Sequence, residues 1–330
     1  MKTAVVILNW NGRKLLEQFL PSVVKFSSEA SVYVADNNSD DDSVDFLSEN
    51  FPSVKIIQNS TNGGYAKGYN DALSTLSEDI FVLLNSDVEV TKNWLNPIIS
   101  EFKKDELLVA AQPKILDYKN KDYFEYAGAA GGYIDKFGYP YCRGRIFNSI
   151  EKDVGQYNDT VKIFWATGAC LFVRKDTFRM VGGFDEDFFT HQEEIDFCWR
   201  LQASGGLIKY IGASSIYHLG AATLASQNPK KTFYNFRNCL LLLLKNAGGS
   251  RIWGILFIRL LLDGVAVIRF MFQGKITHCF SVLKAHLSFY QLLPKYLNKR
   301  KLQSSNYKYF TVKSIVWEYF VNNNRTFKDL

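Results

Sequence analysis

Cysteine is sparse and unpatterned: five residues in 330, odd in number and never in a C-x-x-C spacing (Cys142, Cys170, Cys198, Cys239, Cys279). This usage argues against a disulfide framework and a structural zinc site, and fits a reducing compartment. A bilayer-spanning run is also missing, because Ile252 to Phe272 is interrupted by Arg259, Asp263 and Arg269. Each charge at a helix centre costs about 2.5–3.5 kcal/mol on insertion scales, so spanning is disfavoured. No secretory leader is expected, since the apolar stretch 4–8 is short and leads straight into Asn9. Repeats and low-complexity segments are absent. With 47% hydrophobic and 22% charged residues, the chain has the means to build a full core, which excludes disorder for most of it.

The net charge of +6 is unevenly divided. Residues 230–330 hold 17 Lys and Arg against 3 Asp and Glu, a net of +14, while residues 1–229 carry a net of −8. An acidic body suits a metal or polar ligand, and a basic tail suits an anionic partner. Nucleic acid is the less attractive partner, because the tail has apolar runs and no recurring aromatic–basic stacking pattern. An amphipathic stretch over 250–301, with Arg251, Lys275, Lys284, Lys295 and Lys299-Arg300-Lys301 facing anionic headgroups, is expected at a membrane surface. A helical cap or homodimer surface is the other reading of the same segment.

The first hundred residues alternate strand and helix signals. Short apolar strands are expected at 5–8, 32–35, 55–57 and 80–84, with a helix around Leu15, Phe19 and Val23. This is the pattern of a mainly parallel sheet flanked by helices, in which ligands bind beyond the carboxyl ends of the strands. Polar clusters occupy those places: Asn9-Trp10-Asn11-Gly12, Asp36-Asn37-Asn38-Ser39 and Asn85-Ser86-Asp87. Residues 105–165 read as irregular loops and short strands, and a helix is expected at about 191–203.

Asp36 is placed to accept hydrogen bonds from a base or ribose, or else belongs to a turn with a helix cap. Gly63 and Gly64 lie beside a helix start, where free N–H groups can meet a phosphate. That stretch is neither a Walker loop nor G-x-G-x-x-G. Asp87 can hold Mg2+ or Mn2+ on a diphosphate, or sit in an Asx turn. In the 190–200 segment, Thr190 and Glu193 fit a capping box, and Asp196 and Arg200 pair at i, i+4. Glu194 is left without a structural task and is free to take a proton from a hydroxyl. His218, in an apolar context, reads alone as a packed residue.

Taken in order, these segments resemble glycosyltransferase family 2, in its rhamnosyltransferase-like branch, over about residues 3–245. The opening strand and loop with Asn9 and Asn11, the turn with Asp36 and Asn38, and Asn62-Gly63-Gly64-Tyr65-Ala66-Lys67-Gly68-Tyr69-Asn70 are similar to its nucleotide-sugar motifs. Asn85-Ser86-Asp87 stands where the family has its D-x-D metal motif, with Asn85 replacing the first carboxylate. Gly168-Ala169 and Gly182-Gly183-Phe184-Asp185-Glu186 resemble the acceptor-side segment. Glu193-Glu194-Ile195-Asp196-Phe197-Cys198-Trp199-Arg200 is similar to the element whose second acidic residue is the base. That implies Glu194 as base, with Glu193 and Asp196 as fallbacks and Trp199 and Arg200 on the acceptor side. His218 matches a late histidine that completes the metal site, and Phe233-Tyr234-x-x-Arg237-Asn238 a Tyr-x-x-Arg-Asn run.

The resemblance implies a GT-A-type α/β fold: a domain over 1–229, with a nucleotide-sugar half (about 1–110) and an acceptor half (about 111–229). A basic, apolar helical extension over 230–330 follows. It further implies inverting transfer from dTDP-rhamnose or a UDP-sugar to a hydroxyl of a glycan or lipid-linked acceptor, with Mn2+ or Mg2+. The cytoplasmic face of the membrane is the expected location. A degenerate relative that binds nucleotide sugar without turnover is the alternative.

Overall fold

The computed structural model describes residues 1–220, 228–303 and 307–330. The chain opens with β1 (Thr3–Asn9), α1 (Arg13–Phe26), β2 (Ser31–Asp36), α2 (Ser43–Asn50), β3 (Lys55–Gln58), α3 (Gly64–Ser74) and β4 (Ile80–Asn85). β1 pairs in parallel with β2 and β4, and β2 with β3. Alternate residues of each central strand feed opposite faces. Ala4, Val6, Phe81 and Leu83 enter one core, and Val5, Ile7, Val82 and Leu84 the other. Burial on both faces is why these strands read as continuous apolar runs. α1 turns Leu16, Phe19, Leu20 and Val23 inward at helical spacing.

The second half adds β5 (Val88–Val90), α4 (Asn96–Lys104) and β6 (Leu108–Asp117). A small antiparallel sheet follows, made of β7 (Gly132–Ile134), β8 (Pro140–Cys142), β9 (Arg145–Ile146) and β10 (Ser149–Ile150). Next come β11 (Thr160–Lys162), β12 (Cys170–Arg174), α5 (Lys175–Met180), a 3-10 turn (Glu186–Phe188), α6 (Glu193–Ala203) and β13 (Leu207–His218). The main sheet runs β11-β13-β6-β12-β4-β1-β2-β3, with β5 on β13. Antiparallel β12 lies between β4 and β6. The region expected to be irregular therefore contains β6, ten residues long and almost wholly buried. Its Gln112-Pro113-Lys114 centre hides the strand pattern, and Pro113 is accommodated where β13 bulges between Ile211 and Ser215.

The last segment holds α7 (Pro229–Asn246), α8 (Ile252–Phe272), α9 (Ile276–Gln303) and α10 (Ile315–Phe320). Leu240, Leu241, Leu242, Leu243 and Leu244 are all fully buried in the same core as the sheet. α7 meets α6, α8 and α9, so all its faces are covered in that stretch. Each such leucine contributes about 1.5–3 kcal/mol on burial.

Candidate active site

Parallel pairing sets the strand ends level. Asn9 lies opposite Asp36, and Leu8 opposite Asn85, so the three polar clusters line one edge of the sheet. Asp36 is buried and orders the loops around it. Its Oδ1 accepts from Asn9 Nδ2 (3.1 Å) and the Ser39 hydroxyl (2.6 Å), and its Oδ2 accepts from the Ser39 N–H (2.9 Å). Asn11 and Asn38 both adopt positive φ, which asparagine tolerates. Asn11 N–H donates to Ser39 Oγ, and Asn11 Oδ1 accepts from the Asp40 N–H. The turn reading of Asp36 is thus correct in geometry, and Oδ2 keeps one free lone pair for a ligand.

The glycine loop is held by amides. Asn62 Oδ1 accepts from the Gly64 N–H (3.0 Å) and from Asn37 Nδ2 (2.9 Å). Gly64 has φ +75°, and a Cβ there would stand 2.6 Å from the Phe189 carbonyl oxygen, so only glycine fits. Gly63 precedes it at the start of α3. Two residues of this motif have partners within the chain. Lys67 pairs with Asp71 at 2.8 Å, one turn on. Asn70 donates to the Phe184 carbonyl (2.9 Å) and accepts from the Phe184 N–H (2.9 Å), fastening α3 to the Gly182-Gly183 turn.

Asp87 and His218 come together although 131 residues apart, with Nε2 and Oδ1 at 3.1 Å. Asn85 Nδ2 stands 3.4 Å from the same ring nitrogen, and Ser86 is half-buried between them in sequence. On the ring's other side Nδ1 faces Glu125 Oε1 at 3.4 Å. Burial opposes charge on the His218 imidazole, but the Glu125 carboxylate and the bond to Asp87 outweigh it and push the pKa up to about 10. Glu125 was not singled out from the sequence. It lies in a loop of Gly and Tyr with no periodic signal, and only the fold brings it under the histidine.

The third group lies between the 3-10 turn and α6. Glu193 and Glu194 open α6, and each has one buried carboxylate oxygen with no hydrogen-bond partner. Burial pushes the Glu194 carboxyl up to about 7, against backbone N–H groups of Glu194, Gln192 and Ile195 that pull it down. Burial, then the Glu194 charge, holds the Glu193 carboxyl well above the usual carboxylate range. Tyr65 stands close to the pair and donates its hydroxyl to the Gly168 carbonyl (2.9 Å), while the Ala169 carbonyl accepts from the Asn85 N–H (3.0 Å). Gly168-Ala169 thereby ties the acidic pair's surroundings to the end of β4.

Three expectations here are corrected. The capping box is not formed: Gln192 is the N-cap residue, in left-handed conformation (φ 73°), with no side-chain cap. Asp196 is no reserve base, because its fully buried carboxylate is held by Arg200 Nε (2.9 Å), Lys245 Nζ (2.8 Å) and Asn246 Nδ2 (2.8 Å), and its pKa is lowered. Arg200 also donates from Nη1 to the Val181 carbonyl (2.6 Å) and from Nη2 to the Gly183 carbonyl (2.7 Å). Trp199 faces the core, packed on Tyr309 and Phe164, away from any cleft.

The turn before α6 is strained, with positive φ at Phe189, His191 and Gln192. Such residues cost about 1–3 kcal/mol each and persist where surroundings over-determine them. Here α7 does so. Asn238 Nδ2 lies within reach of three carbonyls, those of Phe188 (3.1 Å), Thr190 (2.9 Å) and His191 (2.7 Å). Arg237 donates to the Asp187 and Phe188 carbonyls and fixes the Asn238 amide through its Oδ1 (2.8 Å). Asp185 and Asp187 are gripped by Lys245, Lys295 and Lys299. Burial raises the Asp185 pKa, but Lys245 and Lys299 outweigh it and hold the carboxyl down at about 2.

The fold is of the GT-A type, and it carries polar strand-end loops, a carboxylate–histidine pair and two glutamates at the head of α6. The glycosyl transferase family 2 model matches residues 4–179, and the chain belongs to that family, as a rhamnosyltransferase-like member. It is 25% identical over 233 residues to an N-acetylglucosaminyl-diphospho-decaprenol L-rhamnosyltransferase of Mycobacterium tuberculosis, covering 65% of this chain and 75% of that one. A low-salt glycan biosynthesis hexosyltransferase of Haloferax volcanii is 22% identical over 288 residues, 83% of this chain and 86% of its own. Among solved structures, S. aureus TarS with UDP-GlcNAc has a TM-score of 0.58 at 16% identity, covering 91% of this chain and 84% of that one. A mannosyltransferase of Pyrobaculum calidifontis with GDP-Man and Mn2+ has a TM-score of 0.52 at 12% identity, with the same coverage. These two share the fold.

Proposed function

We propose that the chain transfers a sugar, with inversion, from a nucleotide-diphosphate sugar to a hydroxyl of a cell-surface glycan or lipid-linked acceptor. dTDP-rhamnose or a UDP-sugar is the donor class. The observation that carries this is Glu194: a half-buried residue at the head of a helix, with one buried, unpartnered carboxylate oxygen and its carboxyl raised by desolvation to about 7. A base with that pKa is half ionised near neutrality and gains from releasing its charge. In the reaction it accepts the proton of the acceptor hydroxyl. The oxygen then bonds to the anomeric carbon as the bond to the diphosphate oxygen breaks.

Asp87 and His218 fit a divalent cation that displaces the proton held between them, since Nε2 and Oδ1 lie 3.1 Å apart and only the deprotonated imidazole can ligate. Mg2+ and Mn2+ are held by one or two protein groups alongside substrate phosphates, and a buried carboxylate behind the imidazole is the usual support for such a ligand. Among the described residues no three His, Cys, Asp or Glu side chains form a metal site by themselves, so the donor phosphates would complete the coordination. The cation, when bound, neutralises the departing diphosphate. Asn9, Asn11, Asp36, Asn38, Gly63, Gly64, Asn85 and Ser86 line the donor side. The acceptor is met at the inner face of a membrane, towards which residues 250–301 turn. This reading is supported by the relative named for a decaprenol-linked substrate and by the apolar surface of α8 and α9.

The test is release of nucleoside diphosphate from UDP-, dTDP- and GDP-sugars, with and without Mn2+ or Mg2+. Turnover should fall at least about 100-fold in Glu194→Gln. A folded Glu194→Gln protein with full turnover refutes the base. Tight nucleotide-sugar binding with no turnover of any donor would favour the non-catalytic relative.

A further inference from the structure

We infer that α8 lies flat in the headgroup layer of an anionic bilayer, with the row Phe257, Leu261, Val265, Ile268 and Phe272 turned into the lipid. This rests on the membrane-surface reading above and specifies the face that makes the contact. In the sequence, Arg259 and Asp263 break the apolar run. In the structure both point into the protein, on the same side as buried Ile252 and Leu256. Arg259 Nε donates to Asp263 Oδ1 (2.8 Å), Nη1 donates to the Phe137 carbonyl (3.0 Å), and the guanidinium lies 3.7 Å over the Tyr139 ring. His286 of α9 holds the other Asp263 oxygen at 3.1 Å. Two of the three interrupting charges therefore leave the outer face, where the row is 54–89% exposed and Arg269 remains exposed at its end. Trp253 stands at one end, and a second exposed row runs along α9 from Ile276 through Phe280 to Leu287.

Charge selects the occupant. α8 and α9 together contain one acidic residue, Asp263, and it is fully buried. Exposed cations flank the apolar row: Arg251 before α8, Arg269 in its last turn, and Lys275 just after. Apolar side chains below a rim of long cations suit an anionic interface, where Lys and Arg reach up to headgroups and Trp sits at their level. A second copy would set the same cations against each other. Spanning is excluded for the described helices, none of which is long and apolar enough, and the Arg259–Asp263 tie to Phe137 and His286 keeps α8 against the body. At the far end Arg269 lies 5.3 Å over Phe320, which brings exposed Trp317 and Phe320 of α10 to the same margin.

The experiment uses the full chain with vesicles of phosphatidylcholine plus phosphatidylglycerol, against phosphatidylcholine alone. The protein should float with the anionic vesicles, less so at high salt, and its Trp emission should shift to the blue. Phe257→Glu and Val265→Glu should each weaken partitioning about tenfold or more, as should Lys275→Glu with Lys284→Glu, while donor hydrolysis without vesicles stays unchanged. If both α8 variants float like the parent, the assignment of the face is wrong and the membrane reading survives. If the parent binds neither vesicle, the membrane reading itself fails. A concentration-dependent dimer abolished by Phe257→Glu, without vesicle binding, assigns the face to a second copy.

Discussion

Replacing Glu194 by glutamine keeps the shape and removes a charge that burial opposes. The carboxyl titrates at about 7 in the folded chain against an ordinary 4.5. Below pH 4.5 it is protonated in both folded and unfolded chains, and ionisation costs the fold nothing. Between 4.5 and 7 the unfolded chain has lost the proton and the folded chain keeps it, so stability declines with rising pH. Above 7 the full penalty, on the order of 3 kcal/mol, is in place. Glu194→Gln should therefore melt with the parent at pH 4.5 and higher than it at pH 8, by about 4 °C for a chain of this length. Relief of Glu193, which the Glu194 charge also raises, acts in the same direction. The assay is a melting series by circular dichroism from pH 4.5 to 8.5, run beside turnover. A difference that does not grow with pH, or a variant less stable at pH 8, refutes the claim that this carboxyl is held ionised at a cost.

Asn238→Ala should cut turnover about tenfold or more by freeing three carbonyls of the strained turn, with donor affinity by calorimetry unchanged. Lys245→Met leaves Asp185 and Asp196 without their shared buried cation and should cost about 3–5 kcal/mol in urea unfolding. Asp185 itself, held at about 2, contributes stability that is present above its ordinary 3.8 and lost as pH falls through about 2, visible as an acid limb in the melting curve. Asp87→Ala should abolish the Mn2+-dependent rise in melting temperature that a nucleotide sugar gives the parent.

Much of the first hundred residues is legible in the sequence because the central strands there are buried on both faces and end in polar residues. The runs at β1, β2 and β4 announce the sheet, and Asn9, Asp36 and Asn85 mark its edge. Asp196 is legible as a structural carboxylate from its i, i+4 spacing to Arg200, but the sequence does not separate Glu193 from Glu194, because the capping box that would set Glu193 aside is not formed. The turn before them is not legible, because a clamp from α7 overrides the local capping pattern of Thr190 and Glu193. Trp199 looked like an acceptor-side aromatic because nothing in its segment shows that α6 is buried. Glu125 gives no local sign, since its use depends on a histidine 93 residues away in the chain. Arg259 and Asp263 read as breaks in an apolar run. A one-dimensional pattern carries their spacing, and only the fold shows which way they point.

The grip on the 185–191 turn has a consequence for how the protein comes into being. Glu194 emerges from the ribosome early, but the groups that hold its approach follow much later: Asn238 is 47 residues beyond His191, and Lys299 is 114 beyond Asp185. Until that last stretch is made, the nascent chain lacks the side chains that hold the left-handed turn. An incomplete polypeptide released by stalled synthesis would carry Glu194 without the clamp that sets its approach and, on the function proposed above, could not turn over a donor.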